Sequence, residues 1–330
     1  RKPSLLALLG HLHYHVGFPT MVKRTDLQKW CTYLGIKKTG SKQELEDRLN
    51  QPLISNDRCW SGRTKGIIEN GEYFTCGAHK KVYKCTYTSG PRKGEICVSK
   101  VFKTGHVYEN SSFSEDLAAV KTAAPIIKAF NDTQATEKAE TWVYLNKPEI
   151  WHDIEPDSRG RKSLSLVEPF IEGEYTKFNS NTGFATAGHE LMQALSHFSY
   201  HHSEGRFLIC DLQGGKGFVP GDGYGHFFLL TDPAICSSKR GTFGPADLGQ
   251  DGTDNFFGWH KCTRFCCPSW RLPPGAVRRF KAVPGTTLGQ PAPSAAVVQN
   301  IPRPLRTRSP LPPSPPPCWL DDLGFGIIWG

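Results

Sequence analysis

Two acids, Asp211 and Asp232, each close a short apolar run: Phe207 to Cys210 before the first, Phe227 to Leu230 and Thr231 before the second. Runs of this length, rich in strand formers and bounded by glycine or polar residues, read as buried strands. Each run delivers a carboxylate to the start of a loop. Two carboxylates brought by neighbouring strands can converge on one magnesium ion, a hard cation that takes oxygen ligands and keeps phosphate oxygens among them. The side-chain oxygen of Gln213 is a candidate third ligand. The competing reading is turn chemistry alone, since Asp-Pro at 232–233 is a common turn opener. Downstream, His260, Cys262 and Cys266 fall within seven residues. Imidazole and thiolate are the ligands of zinc, and four of them close a structural tetrahedral site. Cys267 is an alternative to Cys266. The bland reading is a buried thiol pair beside a surface histidine.

The elements that must position these groups lie upstream. Lys80 to Tyr87 and Glu95 to Phe102 read as strands, and Lys100 alternates with apolar neighbours in the second. An inward lysine needs an anionic partner, which a bound phosphate group would supply; the alternative is an outward lysine on an edge strand. Gly77, ahead of the basic strand, is a candidate to lay backbone amides over phosphates. Phe113 to Asn131 reads as a helix with Leu117, Val120 and Ala124 on one face, and Pro125 is expected to kink or break it. Glu115 and Asp116 are the acids in its first turn. Further strands are expected at Thr141 to Leu145 and Leu164 to Phe170, and a helix at Glu190 to Tyr200.

The blocks CDLQGG, LLTDPAI, FGPADLG and NFFGWHKCTRFC occur in one order, and together they resemble the alpha-kinase family of atypical serine/threonine kinases. These include myosin-heavy-chain kinases, elongation-factor-2 kinase and channel-kinases. The resemblance implies an α+β, two-lobed kinase-like core with a structural zinc site. It implies that Asp211 is catalytic, that Gln213 and Asp232 hold magnesium, and that Lys100 meets the ATP phosphates; by analogy with conventional kinases Lys100 also pairs with an acid on the 113–131 helix, Glu115 or Asp116, between which the sequence does not choose. It places Glu168 at the hinge between lobes, where position matters more than side chain. It makes Gly244, Ala246 and Gly249 part of a G-x-A-x-x-G substrate loop. It also supplies a fourth zinc ligand, His197, fourteen residues before Asp211. The sequence departs from the family at Thr263, where asparagine is usual, and in added length from Lys216 to His226, which a surface loop tolerates.

Residues 25–49 carry a two-helix pattern. Leu27, Trp30, Cys31 and Leu34 recur at helical spacing, and Ser41 to Glu44 reads as a capping box. This stretch resembles a SAP motif, which implies DNA or chromatin as a partner. Lys37, Lys38 and Lys42 would meet phosphates; the other reading is a protein-docking hairpin.

The chain has 330 residues and a net charge of +9, which suits an anionic partner. Its 11 cysteines are scattered, several in apolar runs, as reduced thiols would be. No apolar run is long enough to span a bilayer, and the expected setting is intracellular, cytoplasm or nucleus. The first residue is Arg1 and the first methionine Met21, which reads as a fragment or as a stretch ahead of the natural start. His11, His13 and His15 read as a solvated loop. Residues 271–330 hold about half of the 25 prolines and two acids, so they are expected to stay disordered. Pro312 to Pro317 would favour polyproline II. The expected organisation is a leader at 1–20, a SAP-like module at 21–52, a linker at 53–66, a kinase domain at 67–271 and a Pro-rich tail at 272–330. The expected activity is ATP-dependent phosphorylation of a protein serine or threonine. The alternative is a DNA-binding protein whose kinase-like core is inactive or a scaffold.

Overall fold

The structure, a computed structural model, describes residues 23–57, 68–218 and 226–289. The readings of residues 1–20 and of the polyproline run lie outside these residues. Helices α1 (Arg24–Tyr33) and α2 (Lys42–Leu49) precede a short strand, β1 (Leu53–Ser55). Then come β2 (Ile68–Cys76), β3 (Lys80–Tyr87), β4 (Ile96–Phe102), α3 (Ser114–Asn131) and α4 (Gln134–Ala139). The chain continues through β5 (Thr141–Lys147), β6 (Glu149–His152), β7 (Leu164–Pro169), β8 (Tyr175–Lys177) and α5 (Glu190–His202). It ends in β9 (Phe207–Cys210), β10 (Gln213–Phe218), β11 (His226–Thr231), β12 (Ala234–Ser237) and α6 (Gly249–Trp259).

These strands make two five-stranded sheets and a pair. One sheet, ordered β2-β3-β4-β7-β6, is antiparallel. The other is ordered β1-β5-β11-β10-β8, with β5 parallel to both β1 and β11. β12 pairs with β9. Strands flanked on both faces read as continuous apolar runs, and β5 and β11 fit that rule. Val143, Leu145, Phe228 and Leu230 pack against α3 and α5. Their alternates Tyr144 and Phe227 face the other way, into a cluster with Leu27, Trp30, Leu45 and Leu49, as the two-residue period of a strand requires.

The two-helix stretch therefore covers the second face of β5 and β11 and builds a core of its own there. Ser41 caps α2 through both bonds of a capping box: its hydroxyl accepts from Glu44 N–H at 3.2 Å, and Glu44 Oε2 accepts from Ser41 N–H at 2.7 Å. Tyr144 donates its hydroxyl to the Leu49 carbonyl at 3.1 Å, tying α2 to β5. Part of the stretch read as a linker is strand β1, and the Pro52 carbonyl accepts from Leu145 N–H. Three residues are too few to show a period in the sequence.

α3 runs unbroken through Pro125, contrary to expectation. Pro125 is exposed while Ala123, Ala124, Ile126, Ile127 and Phe130 are buried around it. Those anchors outweigh the ~3 kcal/mol cost of an interior proline. The expected insert also begins later and ends earlier than its sequence limits. Gln213 pairs with Thr231 and Phe218 with His226, so Lys216 to Phe218 and His226 are strand residues.

Candidate active site and metal centre

The two acids do not come from paired strands. β9 and β11 lie in different sheets; β9 pairs with β12, which follows Asp232, and β11 pairs with β10, which follows Asp211. Each acid stands where the chain leaves one sheet for another. The sharp exit needs left-handed backbone, and Asp211 (φ 54°) and Asp232 (φ 46°) both adopt it. Aspartate is among the few residues that tolerate this region, and such strain concentrates at functional sites.

Both acids line one cleft of about 300 Å³, walled by Lys100, Glu168 and the loop at Gly244. Lys100, on β4, is 5% exposed. Its ammonium pairs with Glu168 Oε1 at 2.7 Å and with Asp232, and donates to Thr231 Oγ1 at 3.1 Å. Thr231 in turn donates to Glu168 Oε1 at 2.6 Å. Burial pulls Lys100 down, but Asp232 and Glu168 outweigh it and hold the ammonium above its ordinary range. Burial pushes Glu168 up; Lys100 opposes this and Asp232 adds to it. One ammonium thus serves two carboxylates, which leaves the cleft a surplus negative charge for a cation.

This arrangement corrects two expectations. The partners of Lys100 are strand and loop acids, because β4 lies beside β7 and Val98 opposes Glu168. On α3, Asp116 pairs with Lys80 instead. Glu168 is more than a hinge position, since its side chain is buried and carries the ion pair. A third correction concerns Gly77. It lines the cleft, but its own N–H donates to the Lys80 carbonyl at 2.8 Å to close the β2–β3 turn.

Asp211, 2% exposed, is held differently. Its Oδ1 accepts from Asn181 N–H at 2.9 Å and pairs with Lys177 Nζ at 3.0 Å. The two acids therefore have separate cations. Gln213 opens β10 opposite Thr231, next to Asp232, with its amide 3.4 Å from the Asp232 carbonyl. Carboxylate and amide oxygens are the donors magnesium takes, so these residues fit that ion.

The Gly244–Gly249 loop is organised by Asp247. Its carboxylate accepts from Ser237 N–H, the Ser237 hydroxyl and Gly249 N–H at 2.9, 2.7 and 2.9 Å. Gly244 (φ +84°) and Gly249 (φ +66°) supply the left-handed turns, and a Cβ on Gly244 would strike Glu115. The Ala246 carbonyl accepts from Asn181 Nδ2 at 2.9 Å, linking the loop to the residue that holds Asp211. Lys177, Asn181 and Asp247 were not read as site residues. Asp247 lies in a block that carries the resemblance and Lys177 and Asn181 lie outside those blocks; only tertiary pairing shows their contacts.

On the far side of α5, His197, His260, Cys262 and Cys266 bring one ligand atom each within 4.8 Å of one another. Cys262 Sγ lies 3.7 Å from His197 Nδ1, and Cys266 Sγ 3.8 Å from His260 Nε2. Bond lengths of about 2.0–2.3 Å around a tetrahedral ion place neighbouring ligands roughly 3.3–3.8 Å apart, so the group fits such an ion. The Arg271 carbonyl lies 3.1 Å from His197 Nε2 and fixes the proton there, leaving Nδ1 for metal. Burial lowers both histidines, His260 to about 4, which keeps the imidazoles neutral and ligand-competent. Cys267 points elsewhere, to the Ser269 hydroxyl at 3.1 Å.

Comparison with known proteins bears on the same residues. The Alpha-kinase family matches residues 75–266. Myosin heavy chain kinase B of Dictyostelium discoideum is 40% identical over 197 residues, 58% of this chain and 24% of that protein. Eukaryotic elongation factor 2 kinase of Mus musculus is 34% identical over 148 residues, 42% of this chain and 19% of that protein. The chain thus spans no more than a quarter of either relative. A crystal structure of the alpha-kinase domain of myosin-II heavy chain kinase A, described as holding a phosphorylated aspartate, resembles it with a TM-score of 0.50. It is 23% identical and covers 62% of this chain and 87% of that one, a likeness of fold. α1, α2 and residues 267–289 lie outside the family match. A match over more than half of the chain is a shared domain rather than a shared motif, and this chain belongs to the alpha-kinase family.

Proposed function

We propose that the chain is an ATP-dependent protein kinase that transfers the γ-phosphoryl group to a serine or threonine hydroxyl. The observation that carries this reading is the division of labour in one cleft. Lys100 is tied to Glu168 and Asp232, while Asp211 is held apart by Lys177 and Asn181. Phosphoryl transfer is chiefly positioning and charge neutralisation. Magnesium, held by Asp232 and Gln213, would supply positive charge to the phosphates. Lys100 would steady them from the β4 side. Asp211 would orient the acceptor hydroxyl and take its proton, and Lys177 would keep that carboxylate aimed.

Zinc is the ion proposed for the His197, His260, Cys262 and Cys266 group. Four protein ligands leave no open position, so its role would be structural. Incubation with labelled ATP and a panel of serine, threonine and tyrosine peptides tests the activity. Wild type should label serine or threonine peptides and Asp211→Ala should not. Equal labelling by both would overturn the assignment of Asp211.

A second reading concerns partners. Lys37 and Lys38 are exposed on the turn between α1 and α2, which favours contact with nucleic-acid phosphates. A duplex titration of the full chain at several salt concentrations tests it. Affinity that falls with salt, and falls again in a Lys37→Glu, Lys38→Glu variant, supports DNA or chromatin binding. No affinity at low salt rejects it.

A further inference from the structure

A second cavity, of about 570 Å³, lies across a thin wall from the first. Pro169, Phe170 and Ile171, where the chain leaves β7, line both. Its size is within the span of small-molecule sites. The glycines of β10 make room for it. α1 and α2 cover β5 and β11, and the sheet runs on to β10, where Gly215 and Gly217 turn to the same face. A Cβ on Gly217 would strike the Phe227 ring, and one on Gly215 would strike Ile171. Glycine inside a strand marks a place where another group comes close. Without side chains from β10, the space between that strand and the last turn of α1 is left unfilled.

The cavity has an apolar side, formed by Leu34, Ile54, Phe227 and Leu229. Set beside it is an ion pair. Arg92, only 3% exposed, pairs with Glu95 at 2.8 Å and donates through Nε to the Ser55 carbonyl at 2.9 Å. α1 ends in Gly35 (φ +61°), and a Cβ there would strike this guanidinium. Glu172 also lines the cavity and is exposed. Lys216 sends its ammonium the other way, over the Phe228 ring at 5.9 Å, on the face turned to α3 and α5. Among the described residues, the charges at this cavity are therefore one guanidinium and two carboxylates. A plain anion would meet two like charges, and a plain cation a buried one. A zwitterion avoids both. Laid head to tail against the Arg92–Glu95 pair, it sets a carboxylate on the planar guanidinium and an ammonium on the carboxylate.

We propose that this cavity binds a free α-amino acid with a large apolar side chain, of the leucine or phenylalanine type. The two charges of its backbone meet Arg92 and Glu95, and its side chain lies on Ile54 and Phe227. The inference is independent of the phosphotransfer reading above.

The test is a titration of the full chain with L-phenylalanine and L-leucine, followed by ligand-observed NMR. Saturable binding is expected for both. 3-Phenylpropionate lacks the ammonium and 2-phenylethylamine lacks the carboxylate, and each should bind at least about tenfold more weakly, the scale for losing one charged hydrogen bond. Arg92→Lys keeps the charge and loses the fork, and should weaken binding by a similar factor. Thr32 is exposed where α1 lines the cavity, so Thr32→Trp should fill the space and abolish binding. An unfolding midpoint near that of wild type separates a blocked site from a lost fold. Asp211→Ala, across the wall, should bind as wild type does. Absence of saturable binding by either amino acid up to about 10 mM overturns the proposal. Equal affinity for 3-phenylpropionate overturns the zwitterion. Binding that survives Thr32→Trp, or that is lost in Asp211→Ala, puts the ligand elsewhere and overturns the cavity as its site.

Discussion

Lys100 is the residue on which most of the cleft's charge converges. Replacing it by methionine leaves Glu168 buried with its cation gone. Breaking a buried pair from one side costs about 3–5 kcal/mol, so Lys100→Met should unfold at clearly lower denaturant. Its peptide phosphorylation should fall by at least about 10²-fold, the scale for losing one fixed transition-state charge. Denaturant titration and initial rates check the two parts separately. The two acids were legible in the sequence because each ends an apolar run. Their partners were not. Whether Lys100 meets an acid on α3 or on β7 depends on which strand lies beside β4, and that is a pairing across some 70 residues of chain. Nor does any spacing show that Lys177 belongs to Asp211.

At the scale of elements, the two helices ahead of the kinase match are structural members of its core. Trp30 is 2% exposed and meets Trp142 and Phe227 at ring centroids 5.5 and 6.4 Å away. Trp30→Ala should cost about 3–5 kcal/mol, as large core truncations do, read by thermal or chemical unfolding. A chain cut to residues 53–271 should fail to fold, since it uncovers Tyr144 and Phe227 and discards the bonds of residues 283–289. The helical spacing and the capping box were readable because they are local. The surface they cover was not, since β5 and β11 are apolar on both faces and the sequence does not say what fills each face. The start of the presumed tail misled for a related reason. Its prolines hide a packed segment: Ala276 and Phe280 lie against a buried cluster, and the side chains of Asn255, Asn181 and Thr182 hold its backbone. The His197, His260, Cys262 and Cys266 group joins α5 to the chain beyond α6. Elemental analysis should find one zinc per chain. Chelation or His260→Ala should lower the unfolding temperature, because the binding free energy of a structural zinc is folding free energy.

For the whole molecule, the cleft lies between β4 and β7 of one sheet and the loops that follow β9 and β11, so nucleotide should bind across these elements. Magnesium with ATP at about a hundred times its dissociation constant should raise unfolding free energy by roughly 2.7 kcal/mol. ATP alone should do less. Asp232→Ala should lose most of the magnesium-dependent part and Asp211→Ala should keep it, a contrast that thermal shift assays resolve. The β10–β11 hairpin has a practical corollary. Gln213 and Thr231 sit at the acid end of its ladder, and Phe218 and His226 at the other. Five residue steps at about 3.3 Å each separate the two ends by roughly 17 Å. A fluorescent reporter spliced between positions 218 and 226 should therefore leave peptide phosphorylation close to that of the unmodified chain, which initial rates check.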